Sequence, residues 1–223
     1  MRLLLFSLVW LVLLSGTALA HTPIFLQARG LRRDPHGGNL RSLRGPLNRS
    51  PDYSWAYYGH LATGGRPDVL PLEVRQGQPL VMHISIPQRR NLQGLQPRVV
   101  MLGPGLTEDI PSDLPVSVEE ALGVHAGGGH RGIGSQSIGA LALPITEGPT
   151  ASSFEPFTQV HYWRYGAVSA TFPATGRYAI VVYDPSGRGG PYTLAIGARE
   201  RLGPRDILGF PLTWARVRVW LWK

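Results

Sequence analysis

Residues 177–197 read Arg177-Tyr178-Ala179-Ile180-Val181-Val182-Tyr183-Asp184-Pro185-Ser186-Gly187-Arg188-Gly189-Gly190-Pro191-Tyr192-Thr193-Leu194-Ala195-Ile196-Gly197. Two runs of aliphatic and aromatic residues flank a cluster of Asp, Pro, Ser and Gly. Strand-forming runs separated by turn formers predict a β-hairpin. This stretch makes the chain a β protein, and the hairpin is expected to close a sandwich as its last core pair.

Working back from it, Thr158 to Phe172 has strand character, with Gln159, His161, Trp163 and Tyr165 on one side and Val160, Tyr162 and Arg164 on the other. Gly166 marks a bulge or break there. Leu80, Met82, Ile84 and Ile86 alternate with Val81, His83 and Ser85, which puts the first set in a core. Tyr53 to Leu61, Val69 to Val74 and Arg98 to Leu102 read as further strands. Pro71 suits an edge, because proline cannot donate to a ladder. Ile24-Phe25-Leu26 reads as an edge strand. Between Leu106 and Pro156 the pattern fades, leaving one helical turn at Ser117–Leu122 and a strand at Ala140–Ile145. The strand blocks on either side are expected to supply one half of the sandwich each.

The fold class expected is therefore all-β: an antiparallel, jelly-roll-like β-sandwich with a long N-terminal arm, a Gly-rich middle insertion and a short amphipathic C-terminal helix. The expected organisation is a signal peptide at 1–20, an arm or loop at 21–51, a β-sandwich domain at 52–200 and a basic, Trp-rich amphipathic tail at 201–223. Met1-Arg2, the apolar run Leu3–Leu14 and Ala18-Leu19-Ala20 have the order of a secretory signal with its cleavage site. Its apolar run is shorter than the ~20 residues a membrane span needs. The reading is export to the periplasm or beyond the cell.

There is no cysteine among the 223 residues, so neither a disulfide framework nor a thiol nucleophile can exist. The net charge is +8, carried almost wholly by arginine. For an exported chain that balance points away from nucleic acid and toward an anionic membrane face or an acidic partner.

Leu72-Glu73-Val74-Arg75-Gln76-Gly77-Gln78-Pro79-Leu80, Arg98-Val99-Val100-Met101-Leu102-Gly103-Pro104-Gly105 and the hairpin stretch follow one another in the order seen in the bacterial pre-peptidase C-terminal domain. The chain resembles that family over residues 53 to 105 and 158 to 197. The resemblance implies a jelly-roll-like β-sandwich on an exported protein, and a fold more than an activity. The arm, the middle insertion and the tail depart from the family pattern.

Enzymatic motifs are missing. There is no Gly-x-Ser-x-Gly, and the glycines around His130 lack the Gly-Lys-Ser/Thr of a phosphate loop. His125 and His130 lie in a Gly-rich loop without further close ligands, which reads as loop rather than zinc site. The chain is read as a non-enzymatic binding or scaffold protein without a cofactor, its ligand an unspecified protein or glycan. Trp55, Tyr57, Trp163 and Tyr165 are the candidate aromatic binding surface.

The alternative is copper. Signal cleavage would leave His21 as an N-terminal residue whose amine and imidazole form one chelate suited to Cu(II). The second ligand is left open among His36, His60, His83, His125, His130 and His161, with His161 slightly preferred, and Glu155 is a candidate oxygen ligand. In the tail, Ile207, Phe210, Trp214, Val217 and Leu221 fall at helical spacing, with Trp220 and Trp222 widening the stripe. Phe210, Trp214, Arg216, Arg218, Trp220 and Trp222 are the residues expected to meet a membrane surface. Packing of the same stripe against the domain is the competing expectation.

Overall fold

The structure, a computed structural model, describes residues 22–25, 41–42, 51–123, 137–144, 148–156, 158–199 and 204–221, with backbone alone for 22, 41–42 and 204–210. Eleven strands are described: β1 Thr22–Phe25, β2 Arg41–Ser42, β3 Trp55–Leu61, β4 Asp68–Val74, β5 Pro79–Pro87, β6 Arg98–Pro104, β7 Ile138–Ala142, β8 Ala151–Glu155, β9 Val160–Thr171, β10 Gly176–Tyr183 and β11 Gly190–Ile196. Two helices accompany them, α1 Val118–Leu122 and α2 Pro204–Leu221. The strands form a six-stranded sheet in the order β1-β3-β11-β5-β9-β8 and a five-stranded sheet in the order β2-β4-β10-β6-β7. Pairing is antiparallel except at the edges, where β1 joins β3 and β2 joins β4 in parallel. The chain is an all-β sandwich with a short C-terminal helix, as its alternation predicts.

Two topological expectations are corrected. β10 and β11 do not form a hairpin: β10 sits in the middle of the five-stranded sheet and β11 in the six-stranded one. Residues 184–189 therefore cross from one sheet to the other. The Asp184 carboxylate organises that arch, accepting from the backbone N–H of Ser186 and Gly189, each at 3.0 Å, and from the Ser186 hydroxyl at 2.7 Å. Gly187 and Gly189 supply the left-handed φ values the crossing requires. The two strand blocks do not each form half of the sandwich either. β3 and β5 join one sheet while β4 and β6 join the other, so the chain alternates between layers.

The main core lies between the layers. Met82, Ile84, Leu194 and Ile196 from the six-stranded sheet face Leu70, Leu72, Val99, Met101, Ile180 and Val182. The alternate residues of β10, Ala179, Val181 and Tyr183, are buried on the opposite face beneath α1. That double burial explains why β10 reads as an almost unbroken apolar run. α1 starts at Ser117, whose hydroxyl accepts from the Glu120 N–H at 3.2 Å, and ends at Gly123 in the left-handed region.

The pair Gly59–Tyr192 spans the core. Gly59 lies directly opposite Tyr192 across the β3–β11 ladder, leaving room for its ring. The Tyr192 hydroxyl crosses the layer to donate to the buried Asp68 carboxylate of β4 at 2.8 Å. Gly103 and Tyr178 repeat the arrangement within the five-stranded sheet.

Gly166, with φ near +50°, is the predicted bulge: it is skipped where the β5–β9 register shifts. β8 is unexpected. Its Ala-Ser-Ser start has no apolar alternation, and it adds to β9 as a half-exposed edge strand. His125 and His130 lie outside the described residues.

Candidate functional site

The two sheets part at one end of the sandwich and, with the adjoining loops, form a half-open cavity of about 190 Å³. Ile84 of β5 and Tyr165 of β9 line it from one layer, Val99 of β6 and Leu143 from the other. The remaining wall comes from Gly94, Gln96 and Pro97 before β6, Arg98 at its start, Pro144 after β7, and Asp184, Pro185 and Ser186 in the arch. Proline recurs in these segments, and its fixed φ stiffens a wall built from loops.

The polar groups around it are held in place. Arg98 pairs with the Asp113 carboxylate, whose second oxygen accepts from the Tyr183 hydroxyl at 3.1 Å. Burial, followed by the Asp113 carboxylate, raises the Tyr183 phenol above its ordinary pKa. Burial raises the Tyr165 phenol too, so both hydroxyls stay protonated at neutral pH. Arg188 donates to the carbonyls of Gln93 at 2.9 Å and Asn91 at 3.2 Å, tying the arch to the loop on the other side of the cavity. Asp184 spends its acceptors inside its own turn.

The cavity is a little larger than the ~150 Å³ that holds benzene in an apolar core. It is smaller than the ~300–1,000 Å³ of sites for drug-sized ligands. It suits one ring or one side chain, with an apolar floor from Ile84, Val99 and Leu143 and hydrogen-bonding partners in Gln96 and Arg98. Its lining includes one hydroxyl bonded to a carboxylate, Ser186 to Asp184 at 2.7 Å, and that bond closes the arch turn.

The structure places two of the three residues proposed for copper, His161 and Glu155, on opposite faces of the sheet. His161 is exposed near the start of β9, with its ring 5.1 Å from that of Phe154, its register partner in the edge strand β8. Glu155 pairs with Val160, one residue away, and so projects from the other face of the ladder. Its carboxylate accepts from the Thr158 N–H at 2.6 Å and closes the β8–β9 turn. His21 lies outside the described residues. Among the described residues no three His, Cys, Asp or Glu side chains are grouped to hold a metal ion.

The exposed aromatic platform is corrected as well. Tyr57 and Tyr165 are 2% and 6% exposed inside the main core, and Trp55 and Trp163 pack against it half-buried. All four stand on the inner face of the six-stranded sheet. Alternation separates two faces but does not say which one a second sheet will cover. Tyr165 nevertheless reaches the cavity from within.

In the tail, Val217, Trp220 and Leu221 are buried against Ala56 and Tyr58 on the outer face of the same sheet. The Trp220 indole N–H donates to the Gly59 carbonyl at 3.1 Å. Trp220 is thus a docking residue, not a membrane-facing one. Trp214, Arg216 and Arg218 stay partly or largely exposed. The Phe210 side chain and Trp222 lie outside what is described.

Sequence reasoning missed Gln96, Arg98 and Leu143 as a group. They come from separate segments, and only the prolines beside them hinted at fixed loops.

No family model matches the chain, and no characterised protein matches it in sequence. Among solved structures it is similar to PliG of Aeromonas hydrophila, a periplasmic lysozyme inhibitor of g-type lysozyme. The identity is 17%, the TM-score 0.33, and the likeness covers 81% of this chain and 98% of that one. It is also similar to CorA, a surface-associated copper-binding protein of Methylomicrobium album BG8, at 10% identity and TM-score 0.28, over 81% of this chain and 99% of that one. Likenesses this distant do not bear on what the chain does.

Proposed function

We propose that the chain is an exported, non-enzymatic β-sandwich binding protein of the periplasm or cell surface that holds one sugar unit of a glycan in the cavity between its sheets. The cavity carries this reading. A pyranose has an apolar ring face suited to Ile84, Val99, Leu143 and Tyr165, and hydroxyls that Gln96 and Arg98 can bond. Export rests on Met1-Arg2, Leu3–Leu14 and Ala18-Leu19-Ala20. The resemblance to pre-peptidase C-terminal domains, sandwiches on exported proteins, accords with it.

Thermal unfolding in the presence of single monosaccharides and, separately, single amino acids tests the proposal. At least one monosaccharide should raise the melting temperature of the wild type. Leu143→Phe, which fills the cavity, should abolish that rise, and Gln96→Ala, at its rim, should weaken it without unfolding the chain. If no monosaccharide stabilises the protein, if only amino acids do, or if both variants respond like wild type, the reading fails.

A further inference from the structure

The C-terminal helix carries two apolar faces, and the sandwich uses only one. Val217, Trp220 and Leu221 fasten α2 to β3. On the far side Leu212 is 68% exposed and Val219 60% exposed, with exposed Ala215 between them. Their spacing of three and four residues forms one continuous stripe on a helix. Arg218 flanks the stripe, its guanidinium 4.9 Å from the ring centre of Trp214, which is 41% exposed beside the docked face. Arg216 lies on the other flank, 4.8 Å from the ring of Phe25 in β1.

Five large apolar side chains are exposed among the described residues, and Leu212, Trp214 and Val219 are three of them. Surface apolar residues are ordinarily scattered singly, so their gathering on one helix marks a contact surface. From Pro211 to Leu221 the only charged residues are two arginines, and the whole chain carries +8. A basic face around an apolar stripe is complementary to anionic lipid. No helix among the described residues is long and apolar enough to cross a membrane, so contact would be along the surface.

We propose that α2 seats the protein on an anionic phospholipid bilayer. The helix lies in the interface with Leu212, Ala215 and Val219 toward the acyl chains. Arg216 and Arg218 meet the phosphates, while the opposite face keeps the helix on the sandwich. This reassigns the lipid-facing stripe: the spacing that begins at Ile207 leads to the docked face, and the free face is offset from it. The proposal is independent of the cavity and of what fills it.

The test is co-sedimentation of protein recovered from the exported fraction of an expression host. One set of vesicles has equal parts phosphatidylglycerol and phosphatidylcholine, the other phosphatidylcholine alone. Binding should favour the anionic vesicles and fall as salt is raised above about 0.1 M. Leu212→Glu with Val219→Glu should weaken it at least about tenfold, and each of Arg216→Gln and Arg218→Gln about fivefold. Both glutamates are placed at exposed positions, so the melting temperature should not move. No sedimentation, equal binding to both vesicle types, or a doubly substituted protein that binds like wild type would each overturn the proposal. A self-association in solution that the same two glutamates abolish would do so as well, by identifying a second copy as the occupant.

Discussion

Replacing Gly59 by alanine would put a methyl group where the Tyr192 ring lies. A Cβ at residue 59 would stand 2.5 Å from Cε1 and from Oη of that ring, and nearer still to Cζ. The ring has no easy escape. Tyr192 is 0% exposed, and its hydroxyl is held at 2.8 Å by Asp68 on the opposite sheet. Overpacking of this kind costs about 1–3 kcal/mol. If the ring swings aside, the bond to a buried carboxylate goes with it, a further ~1.5–3 kcal/mol. Gly59 does not have a positive φ, so alanine there gains about 0.4–1 kcal/mol by restricting the unfolded chain. The sum is a net loss of about 2–5 kcal/mol. At about 2–4 °C per kcal/mol for a domain of this size, the melting temperature should fall by about 4–20 °C. Thermal and urea unfolding followed by circular dichroism read this directly. Tyr192→Leu makes the room that alanine needs, so Gly59→Ala should cost at least about 1 kcal/mol less in that background. A single variant within about 0.5 kcal/mol of wild type, or a double variant with no coupling, would refute the account of how this layer is spaced.

Alkali should unfold the protein through its buried phenols. Burial, together with nearby Tyr162 and Glu155, raises Tyr58 well above its ordinary value; burial alone raises Tyr57, and burial chiefly pushes Tyr162 up to about 12. Below pH 10 all three are protonated in folded and unfolded chains alike and the stability is intact. Above it the unfolded chain ionises first, and stability falls by roughly 1.4 kcal/mol per pH unit for each tyrosine, or about 4 for the three. Circular dichroism and tyrosinate absorbance should report cooperative unfolding between about pH 10 and 12; full ionisation near pH 10 with the sandwich intact would contradict it. Asp184→Ala should lower stability by about 1–3 kcal/mol, since two backbone N–H groups and the Ser186 hydroxyl lose their acceptor. Asp184→Asn, which keeps one oxygen, should recover part of that loss, and an unchanged urea midpoint for the alanine variant would show that the carboxylate does not hold the arch.

The layers of the sandwich were legible where one side chain in two is apolar. Leu80, Met82, Ile84 and Ile86 could face only a core, and they do. Ser117 and Gly123 bracket a helical turn with ordinary capping chemistry, visible in a single short stretch. What local pattern does not contain is partnership. Tyr178 and Tyr192 lie on similar strands joined by turn residues, and nothing in either strand says that they belong to different sheets. The same gap hid the inner position of Trp55 and Tyr57, since a strand with two decorated faces does not state which one is covered. β8 escaped because an edge strand half in water needs no apolar rhythm. The cavity escaped because its lining comes from loops and strands far apart in the chain. The tail was ambiguous for a related reason: its heptad-like spacing does not say whether the domain or another surface covers it, and Val217 and Leu221 of that stripe are docked on the sandwich.

The crossing of the chain between β10 and β11 also fixes an order of events. β10 lies at the centre of one sheet, between β4 and β6, and β11 lies between β3 and β5 in the other. Ala179 must find Leu102, and Tyr192 must find Gly59. Neither strand can form early by folding back on its neighbour, as a hairpin would. Pairings this distant in sequence are slow to close, and until they do the inner edges of β3, β4, β5 and β6 stay open to other chains. A chain still missing residues 176–196 lacks the middle of both sheets at once. It stays unfolded until those residues have been made, and it is most prone to aggregation just before then.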